Sequence, residues 1–481
     1  MPATDLKRKT VSAVLWNATE KFLVKGASFI ISIILARILS PTDYGLIGML
    51  AIFIMLSTVF IESGFVKALI QKQDCTDVDY STAFYANLGI SIVIYWVLFF
   101  CAPYVAKFYQ EPLLCEILRI LAINFVLGAF NIVQRAKLMA RMDFKALAKI
   151  NFTGTMVGGG VGVVMAYTGW GVWALVGQTM MATVTILFLF PYYSKWKPIW
   201  AFSTRSFHQL FGFGSKLLIT GVVATVVNNI SMIAIGKAYK SGQLGYYTRA
   251  TQFSEVIAFT VNDILGTVTF PVLSELQNER ERMVAVYRRS LFYTALIIFP
   301  VMVLMALLSR PLVIVLLTEK WLPCVFLLQV LCITRMFTPL SAINMNILNA
   351  IGRSDLFMKV DLSKLPLVLG TLAVTIPISV KAIVIGQLFT SFVCFFINAY
   401  YPGKLFGYGA WEQIKDYWKI LVAVCVMILG VVLCSLFFEN DFLLLVIGGV
   451  VGVLFYLFAC FILRIIRLDE LRVMSPLRML S

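Results

Sequence analysis

Nine basic side chains of this 481-residue chain fall inside long apolar segments or at their rims. A lysine or arginine at the middle of a membrane-spanning helix costs about 2.5–3.5 kcal/mol on insertion scales, so such residues reach the headgroups, form ion pairs or line a hydrated cavity. Carboxylates are fewer in these segments, and an excess of interior cations favours an anionic ligand. The nine residues are Lys21, Lys25, Arg37, Lys67, Arg119, Lys216, Arg249, Arg335 and Lys364.

Position along the segments separates these cations into groups. Three lie close enough to segment ends to act as anchors in the headgroups, namely Arg37, Lys67 and Lys364. Arg119 and Arg249 lie nearer the predicted outer rim, where snorkelling to the headgroups is the default interpretation. The strongest candidates for anion binding come from both halves of the chain and are Lys21, Lys25, Lys216 and Arg335.

Arg335 falls near the middle of its apolar segment. A guanidinium presents planar donors that match phosphate oxygens, so we expect Arg335 to face a cavity and to bind phosphate or act in gating. The alternative is a structural ion pair with a carboxylate. Lys21 and Lys25 lie at a depth similar to that of Glu62 in the next segment, which predicts an ion pair, although snorkelling of both lysines is equally compatible.

Other polar groups complete the set of candidate binding residues. Asn124 and Asn131 are spaced for one face of the fourth segment and are expected to line the same cavity. Glu62, Glu255 and Asp263 are candidates for carrying a coupling proton. Local ion pairs with Lys216, Lys364 or Arg249 explain the membrane carboxylates equally well.

Composition indicates what kind of protein holds these residues. The chain is 60% hydrophobic and only 13% charged, which is typical of an all-α polytopic membrane protein. About fourteen apolar segments approach the ~20 residues that a bilayer core requires. With the N-terminus in the cytoplasm, lysines and arginines in inside and outside segments number roughly 25 and 6, so the positive-inside rule places both termini in the cytoplasm.

Matched turns predict an internal repeat. Ala-Arg followed by SPTDYG at 36–45 corresponds to Gly-Lys followed by SGQLGY at 236–246, and further matches keep offsets near 200–210. We therefore expect a six-helix lobe at 1–193, a cytoplasmic linker at 194–208, a second six-helix lobe at 209–402, and two added helices with a cytoplasmic tail at 403–481. Even-numbered halves insert in parallel, so their pseudo-two-fold axis should run along the membrane normal, with a cleft between them.

Metal and disulfide chemistry is not indicated. The nine cysteines are scattered singly without a CxxC motif, and the one histidine, His208, has no cysteine at a ligand spacing. We expect no metal and no cofactor.

Two stretches carry a family resemblance. LARILSPTDYG at 35–45, followed by GFVKALIQ at 64–71, resembles the opening two helices of polysaccharide flippases in the multidrug/oligosaccharidyl-lipid/polysaccharide exporter superfamily. MALLSRPLV at 305–313, with EKWLP at 319–323 and LLQ at 327–329, resembles the ninth-to-tenth helix region of the same flippases.

The resemblance implies a flippase of the O-antigen or capsule type in the bacterial plasma membrane. Such a protein moves a lipid-linked oligosaccharide on an undecaprenyl-type diphosphate from the cytoplasmic to the outer leaflet, as a monomer coupled to H⁺ or Na⁺. The cavity cations would then neutralise the diphosphate.

Two other functions fit the sequence less well. A multidrug or cation antiporter of the same fold would favour an acidic cavity, whereas this interior leans basic. A membrane glycosyltransferase or polysaccharide polymerase needs acid/base groups outside the membrane, usually on long exterior loops. The longest outside loop here, about 309–324, is short. We therefore expect no enzyme activity.

Overall fold

A computed structural model describes residues 3–62, 69, 75–277 and 279–465 of the chain. Some side chains within helices lie outside the description. They are those of residues 3–15, 17, 18, 21, 61, 62, 209–217, 219, 220, 259, 262–268, 270 and 271.

The described residues form α-helices joined by short turns and contain no β-strand. In chain order the helices are α1 (Ala3–Ile38), α2 (Pro41–Glu62), α3 (Asp77–Tyr109), α4 (Leu113–Ala140), α5 (Phe144–Tyr167), α6 (Trp173–Ser194), α7 (Thr204–Ala238), α8 (Ser241–Glu275), α9 (Arg280–Leu307), α10 (Ser309–Leu317), α11 (Cys324–Arg335), α12 (Phe337–Ala350), α13 (Ser354–Thr375), α14 (Val380–Phe406), α15 (Ala410–Phe437) and α16 (Asp441–Ile462). A single 3₁₀ turn, Glu319–Trp321, lies between α10 and α11.

Ten of the described segments are long and apolar enough to cross a membrane, with α11 and α12 counted together. The all-α membrane fold class is thus confirmed, but the predicted count of about fourteen is not. Four other helices, α1, α5, α8 and α13, have 22 to 36 residues and fall outside the ten. Charged side chains in α13 and glycines in α5 make these two helices more polar. In α1 and α8, which carry several of the predicted site residues, part of the helix lies outside the described side chains.

Contacts divide the chain into two compact units, 1–245 and 246–481, with the boundary inside α8. In the first unit, α5 packs on α6 and α1, α3 packs on α4, and α7 packs on α2 and α3. In the second, α15 packs on α16 and α9, and α14 packs on α13, α11 and α12. Such a division does not test a sequence repeat, so the predicted boundaries at 194–208 and 402–403 stay predictions.

The segment between α6 and α7 is extended and is held against α3. The hydroxyls of Ser81 and Thr82 accept hydrogen bonds from the backbone N–H groups of Ile199 and Ser203, each at 3.0 Å. Trp196 is buried beside α3. The linker predicted at 194–208 therefore has fixed attachments, and its last residues already belong to α7.

The turn that opens α2 and the turn that opens α8 touch without room for side chains. A Cβ atom on Gly45 would lie 1.7 Å from the carbonyl oxygen of Ser241, and one on Gly245 would lie 1.8 Å from that of Pro41. The contact is reciprocal, and the two turns are those that the sequence pairs as repeat mates. Glycine is required at both positions because any side chain would overlap backbone atoms.

A buried hydrogen-bond cluster joins α9, α12 and α15. The Tyr287 hydroxyl donates to Asn344 Oδ1 at 2.5 Å, and Gln413 Nε2 donates to the same oxygen at 3.1 Å. None of the three side chains is exposed. Polar groups in an apolar interior stabilise a fold only when they are paired, so the cluster fixes how α15 seats on α9 and α12.

Candidate functional site

Arg335 and Glu255 form an ion pair between α11 and α8. Arg335 Nη2 lies 2.5 Å from Glu255 Oε1, and the side chains are 27% and 31% exposed. The sequence offered a carboxylate partner as the alternative for Arg335, and the structure provides one. For Glu255 the sequence leaves open a coupling role or a local ion pair with Lys216, Lys364 or Arg249, and its ion-pair partner among the described residues is Arg335.

The helix that carries Arg335 is interrupted at a single residue. The sequence predicts one continuous span over 325–350, and residues 324–350 count as one span, although α11 ends at Arg335 and α12 begins at Phe337. Met336 between them keeps right-handed helical backbone angles, and its N–H donates to the carbonyl of Cys332. Pro339 has no N–H to bond the Arg335 carbonyl four residues earlier, which accounts for the interruption.

The ion pair leaves hydrogen-bonding capacity on Arg335. Its Nε is buried and has no hydrogen-bond partner among the described residues. A guanidinium carries five N–H donors in a planar fork. Arg335 is therefore charge-compensated but retains a donor suited to a further anionic oxygen.

Arg249 is buried rather than snorkelling to the rim as expected. It is 2% exposed, and its Nη1 donates to Gln252 Oε1 at 2.6 Å. Its guanidinium carbon lies 5.7 Å from the ring centre of Trp321, which is fully buried. The sequence indicates how deep Arg249 lies in its segment but not which way its side chain points from α8. Its aromatic partner, Trp321, lies in a turn more than seventy residues away along the chain.

Arg119 is held on the neighbouring helix α3. Its Nε donates to the carbonyl oxygen of Phe99 at 3.4 Å, and the guanidinium lies 4.2 Å from the centre of the Phe99 ring. This stacking joins α3 to α4 and gives Arg119 an architectural contact. Lys25 has an exposed side chain on α1.

Four predicted site residues lie outside the described side chains. They are Lys21, Glu62, Lys216 and Asp263. The predicted ion pair of Glu62 with Lys21 or Lys25 therefore stays a prediction. The carboxylate that is described in α1, Glu20, accepts a hydrogen bond from Asn151 Nδ2 at 2.6 Å.

Asn124 and Asn131 belong to a wider set of buried polar groups on α3 and α4. The side-chain oxygens of both asparagines are buried without a partner among the described residues. Three more side chains have buried polar atoms without a partner among the described residues. They are Asn87 and Ser91 on α3, both fully buried, and Gln134 on α4.

The packing of α3 against α4 brings these groups to similar positions along the two helices. Core contacts group Phe84 with Val133, and Leu98 with Phe125. Asn87 and Ser91 lie between those two levels on α3, as Asn131 does on α4. Sequence reasoning missed Asn87, Ser91 and Gln134, although the four-residue spacing of the first two places them on one helical face.

A family model described as "Polysaccharide biosynthesis protein" matches residues 34–326, which is more than half of the chain. The chain belongs to this family.

This chain has relatives whose names refer to biosynthesis. It is 26% identical over 354 residues to "Teichuronic acid biosynthesis protein TuaB" of Bacillus subtilis, covering 73% of each chain. It is 25% identical over 314 residues to "Succinoglycan biosynthesis transport protein ExoT" of Rhizobium meliloti, covering 65% of this chain and 64% of the relative.

One solved structure has a fold similar to that of this chain. "Lipid II flippase MurJ, inward closed conformation" matches 93% of this chain and 98% of its own, with a TM-score of 0.75 and 16% sequence identity. The likeness at this identity establishes the fold and confirms the predicted fold class.

Proposed function

We propose that this protein is an alternating-access flippase. Its substrate is a polyprenyl-diphosphate-linked oligosaccharide, moved from the cytoplasmic to the outer leaflet for surface polysaccharide synthesis. The observation that carries the proposal is the family match over residues 34–326, in a chain whose described residues build membrane helices. A membrane scaffold in such a family is suited to moving a precursor, and the fold is that of a lipid II flippase.

The Arg335–Glu255 pair supplies the chemistry for an anionic headgroup. Phosphate oxygens match the guanidinium fork and accept charge-assisted hydrogen bonds from it. In the proposed cycle the diphosphate takes the place of Glu255 at Arg335. The displaced carboxylate then needs a proton or a sodium ion, which makes Glu255 the candidate for ion coupling.

The turns at Gly45 and Gly245 supply the candidate outer gate. Both lie on the side that the positive-inside rule assigns to the outside. In this structure Gly45 meets the backbone of Ser241, and Gly245 meets that of Pro41. Release of the glycan outward requires these turns to separate.

The remaining parts of the proposal follow from the sequence. The flippase acts in the bacterial plasma membrane with both termini in the cytoplasm, as a monomer, and with H⁺ or Na⁺ as the coupling ion. The proposal includes no cofactor.

Gene deletion with complementation tests this function. We expect deletion to abolish the surface polysaccharide and to leave lipid-linked intermediates in the inner leaflet. Arg335→Ala should restore export only in part, whereas Arg310→Ala, at an exposed arginine in α10, should restore it fully. Membrane abundance of each variant is measured in parallel.

Two results would contradict the proposal. Unchanged export after deletion would exclude an essential role in this pathway. Sensitivity to cationic drugs after deletion, with normal polysaccharide export, would favour the antiporter instead.

A further inference from the structure

A basic cavity lies between α9, α15 and the end of α16. Its volume is about 400 Å³, and its charged lining residues are Arg288, Arg289, Asp416 and Arg464. The aromatic side chains of Phe292 and Tyr293 also line it. None of these residues takes part in the site described above.

The charges in the cavity do not balance. Arg288 is neutralised, since its Nε and Nη2 donate to the two carboxylate oxygens of Asp416 at 2.6 and 2.7 Å. The Tyr408 hydroxyl donates to the same carboxylate at 2.7 Å, which fixes it further. Neither Arg289 nor Arg464 has an ion-pair partner in the part of the chain that the structure describes. Among the described lining residues, three arginines against one carboxylate leave two positive charges for a ligand.

Backbone conformation at Arg464 is unusual for an arginine. The residue follows the end of α16 with φ of +49°, a left-handed conformation that helix ends usually assign to glycine. The next backbone N–H, that of Ile465, donates to the carbonyl of Cys460 at 3.0 Å and closes the turn. This turn fixes the backbone from which the Arg464 side chain reaches the cavity.

The cavity lies at the height where the apolar segments end. In α9 an apolar run begins at Leu291, one residue after the two arginines, and in α15 one begins at Ile420, after Asp416 and Lys419. The apolar run of α16 continues through Leu463, directly before Arg464. Three helices thus place their charges at one membrane level, and Trp418, 54% exposed, marks the same level.

Apolar surface continues from the cavity toward the membrane interior. Phe458, Phe461 and Ile462, in the last turns of α16, are 63%, 70% and 60% exposed. A soluble anion would use only the arginines, whereas a phospholipid would use both the arginines and this surface. Basic pockets between membrane helices on the cytoplasmic side bind anionic headgroups in this way.

We propose that this cavity binds the headgroup phosphate of an anionic phospholipid. Arg289 and Arg464 are its ligands, and the Arg288–Asp416 pair forms a fixed wall. Its lining residues differ from those of the Arg335–Glu255 site, and in this proposal the lipid is a bound component that is not carried across.

Native mass spectrometry of the purified full-length chain tests the site. The probes are phosphatidylglycerol and phosphatidylcholine, added to the protein in detergent. We expect a preference for phosphatidylglycerol that falls about 30-fold in Arg289→Gln/Arg464→Gln, because each arginine near a lipid surface contributes about 1 kcal/mol. The control Arg205→Gln/Arg310→Gln removes two exposed arginines elsewhere and should keep the preference.

Competitors distinguish the sources of phosphate. Inorganic phosphate and farnesyl diphosphate, each in excess, should leave phosphatidylglycerol bound. Displacement by inorganic phosphate would indicate a site for a free anion, and displacement by farnesyl diphosphate would indicate a site for the transported lipid. Either result would overturn the assignment, as would an unchanged preference in the double variant.

A measurement on the unmodified protein does not depend on folding of the variant. Photoactivatable phosphatidylglycerol should form adducts within residues 285–293 or at 464–465. Adducts that lie only elsewhere would also overturn the proposal.

Discussion

The Arg335–Glu255 pair joins α11 to α8 at one point inside the apolar part of the chain. The sequence singles out both residues, because each is an ionisable group in an apolar segment. It does not predict that they meet, since a contact across 80 residues depends on how the helices pack.

Removing both partners of this pair separates a structural role from a functional one. Arg335→Ala alone leaves Glu255 as an unpaired carboxylate, so both abundance and export should fall. Arg335→Ala/Glu255→Ala should restore membrane abundance while export stays about tenfold low, because the phosphate ligand is still missing. Surface polysaccharide per unit of membrane protein is the measurement.

The matched control for that test is Asp361→Ala/Lys364→Ala, which removes a local pair in α13 with a 2.7 Å contact. Its export should equal that of the unmodified protein. Full recovery of export in Arg335→Ala/Glu255→Ala would mean that the pair is only structural.

The hydroxyl of Tyr287 is expected to contribute to stability but not to transport. Tyr287→Phe removes its hydrogen bond to Asn344 and should lower the free energy of unfolding by about 1 kcal/mol. Thermal unfolding in detergent measures the loss, with Tyr400→Phe, at a 61% exposed tyrosine, as the control. Equal melting temperatures for the two variants would contradict the role assigned to the cluster.

At the scale of elements, the sequence predicts segments better than their orientation. The matched turns at 36–45 and 236–246 are identifiable because glycine and polar residues interrupt apolar runs. Their mutual contact is not, since it depends on tertiary packing. Snorkelling of Arg249 is wrong for the same reason: hydropathy reports the depth of a residue but not the face of the helix that carries it.

Gly45→Ala tests the contact between the turns that open α2 and α8. The added methyl would meet the Ser241 backbone at 1.7 Å, so the turns must move apart. Overpacking of this kind costs about 1–3 kcal/mol, which should disfavour the closed state about tenfold or more. Labelling of Thr42→Cys by an impermeant maleimide from outside should therefore become faster, and export should fall.

Gly89→Ala provides the matched control, because a Cβ atom at this position in α3 meets nothing within 4 Å. Its labelling and export should match those of the parent. Slower or unchanged labelling in Gly45→Ala would contradict the proposed gate.

For the whole molecule, composition and charge distribution predict an all-α membrane protein, and the structure confirms that class. The ten spans are counted over the described residues alone, and parts of α1 and α8 lie outside them, so the predicted number of about fourteen stays a prediction. Both helices hold several of the predicted site residues.

A reversible crosslink tests whether the outer turns must open in each cycle. A Cβ atom at Gly242 would lie 3.6 Å from Thr42 Oγ1, which suits a disulfide in Thr42→Cys/Gly242→Cys with the native cysteines replaced. Oxidation should stop export and a reductant should restore it. Export that continues in the crosslinked protein would show that these turns do not gate the substrate.

Reconstitution tests the central claim most directly. Liposomes carrying polyprenyl-diphosphate-linked oligosaccharide in both leaflets are treated from outside with an enzyme that cleaves only the accessible glycan. With the purified protein present, cleavage should proceed beyond the outer-leaflet share toward completion, and Arg335→Ala should slow this second phase. Cleavage that stops at the outer-leaflet share, equal to that of protein-free liposomes, would contradict the account.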